Sequence, residues 1–211
     1  MFLERIKKKN RGFTLVELIV VLVILAILAA ILVPALLGYI DAAKKKQDVL
    51  NAKNCMTATQ AELSELYAKG PHPSGSMNTV IPGLKAFSNG NLDVEAAKSD
   101  FANKVFTTAD TRPWLYVVGL GHTSLYPTDP HAPYTVLFAM YMQTKDSAPI
   151  FFNGSEWVDY YPKDNGDLGA SGNEVNGKKM QLYILADAGG KKAGTTNSIW
   201  TYIRDQIKKS N

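Results

Sequence analysis

The residues that could carry chemistry are few and scattered. His72, His122 and His131 all stand in Gly- or Pro-rich loop sequence. None has a helical partner at HxxxH spacing, or an acid placed to make an acid–base pair. The oxygen-rich run Asp164-Asn165-Gly166-Asp167 could hold a hard cation, but it lacks the EF-hand spacing. Cys55 is the one cysteine, so no intrachain disulfide is available and no Cys/His group reads as a metal site. A small, apolar, helix-buried thiol is the expected state for it. Asn153-Gly154-Ser155 fits a glycosylation sequon, but a tight hairpin turn explains the same residues better. No residue set supports catalysis, and no cofactor is implied.

One group stands out by its position. Glu17 lies four residues into an apolar stretch covering residues 13–37, whose core, 18–33, is an unbroken run of 16 apolar residues. A carboxylate in a bilayer is unfavourable unless it lies shallow, near a helix N-terminus, or meets a positive partner. Cleavage after Gly12 would create that partner as the free amine of Phe13, in the same chain or in a neighbour.

The elements around Glu17 follow from pattern. Twenty-five helical residues span roughly 38 Å, enough for a hydrocarbon core of about 30 Å. Arg5, Lys7, Lys8, Lys9 and Arg11 precede the stretch, opposed only by Glu4, and this cluster accounts for the whole net charge of +4. It should stay cytoplasmic, with the remainder outside. The rest of the chain is electrically balanced and gives no footprint for a nucleic-acid binder. The apolar stretch is too long for an ordinary signal peptide, and no good small-residue cleavage site follows it. Pro34 sits inside it, where a helix loses a hydrogen bond and kinks.

From Tyr39 to Lys69 the apolar period of three and four continues through Val49, Ala52, Met56, Thr59, Leu63 and Leu66. Gly70 and Pro71 end it, as a C-cap glycine followed by proline does. Beyond lie a helical segment at 94–106 and strand-like segments at 114–119, 134–142, 150–152, 156–161 and 180–186. Asn153-Gly154 reads as a tight hairpin turn, and 199–209 as a closing helix capped by Ser198. An antiparallel sheet packed on the second half of the long helix is the simplest way to bury these faces, an α+β architecture. The resulting division is a basic leader (1–12), a long helix (13–69, with 13–37 apolar) and an α+β head (70–211).

The octapeptide Arg11-Gly12-Phe13-Thr14-Leu15-Val16-Glu17-Leu18, with its basic leader and following apolar run, resembles the processing site of type IV pilins and their pseudopilin relatives. The resemblance covers residues 1–40, with a continuation to 69. It implies cleavage between Gly12 and Phe13 by a membrane prepilin peptidase and N-methylation of Phe13. It also implies a charge pair between Glu17 and the amine of a neighbouring subunit, and a kink or unwound stretch at Pro34. The implied protein is a non-enzymatic subunit of a type IV pilus. It would begin as a single-pass precursor with its N-terminus inside and end in an extracellular filament. Its partners would be identical subunits, the peptidase, the pilus assembly machinery and the membrane. The alternatives are a pseudopilin or minor pilin of a type II secretion or competence system and, more remotely, a signal-anchored surface binding protein. Many pilins close the head with a disulfide, which Cys55 alone cannot make. Lys44, Lys45 and Lys46 could meet Glu62 and Glu65 of an axially shifted copy.

Overall fold

The computed structural model describes residues 12–70, 77, 80–82, 84, 99–123, 126–160, 173–175 and 177–186. The leader before Gly12, His72, the 164–167 run and the 199–209 segment lie outside the described residues. The chain divides into two compact units, residues 1–46 and 47–211.

Helix α1 is uninterrupted from Leu15 to Lys69. Good helix formers dominate it, and Gly70, with φ of 54°, ends it in the left-handed region that glycine enters without a Cβ penalty. The helix runs through Pro34 without a break. The ring removes one N–H, so the turn there is held by one backbone bond fewer. In the first unit every described side chain from Gly12 to Lys46 is exposed. This part of α1 is long and apolar enough to cross a membrane.

The second unit begins at Gln47, where α1 becomes the backing of a sheet. Helix α2 (Asp100–Thr108) is capped by Ser99, whose hydroxyl accepts from the Ala102 N–H at 3.1 Å. The strands are β1 (Leu115–Leu120), β2 (Val136–Met142), β3 (Ile150–Phe152), β4 (Trp157–Val158), β5 (Asn173–Val175) and β6 (Lys178–Ala186). They form one sheet in the order β4-β3-β2-β1-β6-β5, and each pair is antiparallel. This is the pilin-like α+β arrangement expected from the sequence, with one strand more than expected. The extra strand, β5, pairs with β6, and Gly177 just before β6 has φ of 71°.

The central strands are buried on both faces, with every residue of β1 and β2 inside. On one face Tyr116, Val118, Ala139, Tyr141, Tyr183 and Leu185 pack with Ala52, Cys55, Ala58 and Leu63 of α1 and with Phe101, Val105 and Phe106 of α2. On the other, Leu115, Val117, Phe138, Met140, Leu182 and Ile184 form a second cluster, against which Trp114, Tyr126 and Val158 pack. Uninterrupted apolar strands such as Leu-Tyr-Val-Val and Leu-Phe-Ala-Met-Tyr-Met suit a sheet covered twice, whereas a sheet with one wet face alternates.

Polar side chains hold α1 on the sheet in three places. Asn51 donates to Gln143 Oε1 at 3.0 Å, and the Tyr141 hydroxyl donates to the same oxygen. Thr59 donates to the Cys55 carbonyl at 2.7 Å, and its oxygen lies 3.2 Å from the Tyr116 hydroxyl. Gln60 uses both ends of its amide, donating to the Tyr134 carbonyl at 2.8 Å and accepting from the Val136 N–H at 3.0 Å. It thereby satisfies one backbone group just before β2 and one at its first residue.

Candidate functional site

The site is built at the start of α1. Gly12, Phe13 and Thr14 are non-helical and exposed, with Phe13 80% exposed. The first helical hydrogen bond runs from the Leu18 N–H to the Thr14 carbonyl at 3.2 Å, which makes Thr14 the residue that opens the helix.

Glu17 does not stand free there. Its Oε2 accepts from the Thr14 N–H at 2.9 Å and from the Thr14 hydroxyl at 2.9 Å. In return the Glu17 N–H donates to Thr14 Oγ1 at 3.2 Å. This is a reciprocal capping box, in which a Thr and the Glu three residues later each satisfy the other's orphan backbone N–H. The signal, Thr-x-x-Glu ahead of an apolar run, is visible in the sequence. The charge of Glu17, favoured at a helix N-terminus or beside a cation, draws attention first, and the hydrogen bonds to Thr14 are what the charge alone does not announce.

Around the box there is little else polar. Leu15, Val16, Leu18, Ile19 and Val20 expose half or more of their surface, and the apolar surface continues past Leu37. Glu17 is the one acidic residue among the described residues before Asp41. Gly12 has open space around its missing Cβ, so the structure itself places no steric demand for glycine there.

The other candidate groups do not converge. Cys55 is fully buried, and that burial pushes its thiol up to about 12. His131 lies against Tyr67, with ring centroids 4.5 Å apart, and His122 is on a separate loop position. No group of three or more His, Cys, Asp or Glu side chains able to hold a metal ion occurs among the described residues. Asn153 is buried, and its Oδ1 accepts from the Ser155 N–H, the Ser155 hydroxyl and the Glu156 N–H. It therefore works as a turn residue. The turn is centred on Gly154-Ser155, with Gly154 at φ 92°, while Asn153 supplies the side-chain brace.

Of the charges expected to match between copies, Lys44, Lys45 and Lys46 are exposed, but Glu65 is already paired with Lys69 of its own helix. Glu62 lines a shallow groove of about 390 Å³ with Asp100, Asn103, Lys104, Thr107 and Thr108. That groove carries both signs of charge.

Residues 7–33 match the family described as the prokaryotic N-terminal methylation motif. No curated protein and no solved structure matches the chain.

Proposed function

We propose that this chain, which carries the class III signal peptide of type IV pilins across residues 7–33, is a structural subunit of a type IV pilus. The observation that carries the proposal is a single carboxylate, Glu17, set within a methylation motif at the head of a helix whose first half is apolar and exposed. Such a surface is at home only in lipid or against other copies of itself.

In this reading residues 1–12 form the leader, 13–69 the helix and 70–211 the head. A prepilin peptidase cuts between Gly12 and Phe13, and Phe13 is N-methylated. The new amine then meets the Glu17 carboxylate of a neighbouring copy, so that two charges enter an apolar bundle together. Pro34, one hydrogen bond short, is where the helix bends or opens as subunits pack. Removed from the membrane, residues 13–37 are reburied at the centre of a helical assembly, and head-to-tail contact that does not close yields a filament. The motif fits a structural rather than an enzymatic protein.

Intact mass and N-terminal sequencing of sheared cell-surface material test this. A chain that begins with N-methylated Phe13 in the sheared fraction is the expected result. A processed chain confined to membranes would replace the pilus-subunit reading with that of a pseudopilin or minor pilin. A chain still beginning at Met1 in either fraction would overturn the processing step.

A further inference from the structure

Resting on that reading of processing at Gly12–Phe13, we infer that the Thr14–Glu17 capping box is a helix stop that presents the scissile peptide to the peptidase. This makes Thr14 a positioning residue for cleavage.

The argument is a count of backbone donors. Were α1 to continue one turn upstream, the Thr14 N–H would bond to the carbonyl of Asn10 and the Glu17 N–H to that of Phe13. Both donors are instead taken by the box: Thr14 N–H by Glu17 Oε2 at 2.9 Å, and Glu17 N–H by Thr14 Oγ1 at 3.2 Å. The box and an upstream helix therefore compete for the same two N–H groups.

The apolar run has every local reason to propagate its helix, since nucleation is the costly step and each added residue is cheap. The box stops that growth within two residues of the bond to be cut. Gly12 and Phe13 stay non-helical and exposed.

Peptide hydrolysis needs that state. Water adds at the Gly12 carbonyl carbon, the C–N bond breaks, and the Phe13 nitrogen takes a proton and leaves as the amine. A peptidase reaches that carbonyl only when the strand it lies on is open, which is why cleavage concentrates at exposed, non-helical sites. With the stop weakened, the extended form becomes a smaller fraction of the population. The apparent affinity falls by that fraction, while the chemical step on bound substrate is unchanged.

Thr14→Val keeps the shape and removes the hydroxyl, whereas Thr14→Ser keeps a good cap. The test is cleavage of the full-length precursor in detergent micelles by purified prepilin peptidase, with KM and kcat measured separately. Backbone Cα chemical shifts of Gly12 and Phe13 in the same micelles give a second readout. Thr14→Val should raise KM measurably, by up to about fivefold, the usual size of a lost cap, with kcat unchanged, and should move the Phe13 shift toward helix. Thr14→Ser should match the wild type in both. Thr14→Val cut with wild-type KM would overturn the helix stop, as would slowing by Ser as large as that by Val, which would point to a direct contact of the whole Thr14 side chain with the peptidase. Wild-type precursor left uncut would instead remove the processing reading on which the inference stands.

Discussion

Thr59 on α1 and Tyr116 on β1 meet through their hydroxyls, 3.2 Å apart, and neither residue has any exposed surface. The contact lies in the middle of the helix–sheet core, where a polar group without a partner is costly. Thr59 also donates to the Cys55 carbonyl at 2.7 Å, so the Tyr116 hydroxyl is the donor in the pair. Removing one partner has a different consequence from removing the other. Tyr116→Phe takes away a donor from an oxygen that keeps its other bond, and should cost about 1 kcal/mol. Thr59→Val strands the Tyr116 hydroxyl and should cost about 2 kcal/mol. Urea unfolding of the full chain in micelles, with the double variant closing the cycle, measures both and their coupling.

Cys55 and Tyr116 make the head sensitive to alkali. Burial raises both acids, the thiol to about 12 from 9.0, and desolvation is likewise the main cause for Tyr116. For a group whose pKa is raised by folding, the unfolded chain releases its proton first. The stabilisation is complete below pH 9 and is lost as pH climbs from 9 toward 12. Circular dichroism melts across that range should show Tm falling steeply, and Cys55→Ala should make the decline between pH 9 and 10 shallower. The same burial should leave the native thiol unreactive toward maleimide at neutral pH, with labelling restored in denaturant.

Asp110 offers a gain in stability. It has φ of 51° and sits one residue past the C-cap of α2, where its N–H bonds to the Thr107 carbonyl and the next N–H, of Thr111, bonds to Phe106. That is a Schellman ending with an aspartate where glycine is preferred. Asp110→Gly should stabilise the head by about 0.5 kcal/mol, and Asp110→Val should cost about 1–2 kcal/mol because a β-branched residue tolerates the left-handed region poorly. A Tm that moves down for Gly, or up for Val, would contradict this account of the cap.

Glu17→Gln separates two roles of one side chain. The amide oxygen can still accept from Thr14, so the capping box survives, since Gln serves at that position as Glu does. The negative charge is lost, and with it the pairing to a neighbour's amine. Membrane insertion and cleavage should therefore be normal, while the yield of sheared filament falls at least tenfold. Undiminished filament would remove the charge pair from the assembly mechanism.

Much of this was legible in the residues, and the parts that were not have physical reasons. The long helix and its end at Gly70 follow from periodicity and a cap, which are local. Strands β1 to β4 and β6 were placed by aromatic and β-branched runs. Strand β5 is hard to read from the sequence although Asn176-Gly177 before Lys178 is a strong hairpin signal, because Asn173-Glu174-Val175 has only one apolar residue to announce a strand. At Asn153-Gly154 the opposite occurred: the turn was found, but its centre proved to be Gly154-Ser155 with Asn153 bracing it. The second apolar cluster, around Val117, Met140 and Ile184, is implied by strands that do not alternate, whereas packing the sheet on the long helix accounts for one face and leaves the other unassigned. At the site, Gly12, Phe13 and Glu17 drew attention through spacing. Thr14 did not, because its importance lies in two hydrogen bonds rather than in its charge.

The seat of Gln60 on the backbone of Tyr134 and Val136 has a mechanical consequence. Apolar contacts between a helix and a sheet are non-directional and hold no single bond that must break when the surfaces shift. An amide that bonds to main chain at both ends cannot slip without breaking two hydrogen bonds at once, and Asn51 and Thr59 grip the same sheet along the same axis. A load drawn along this part of α1 therefore reaches β1, β2 and the residues flanking β2 through several hydrogen bonds strained in parallel.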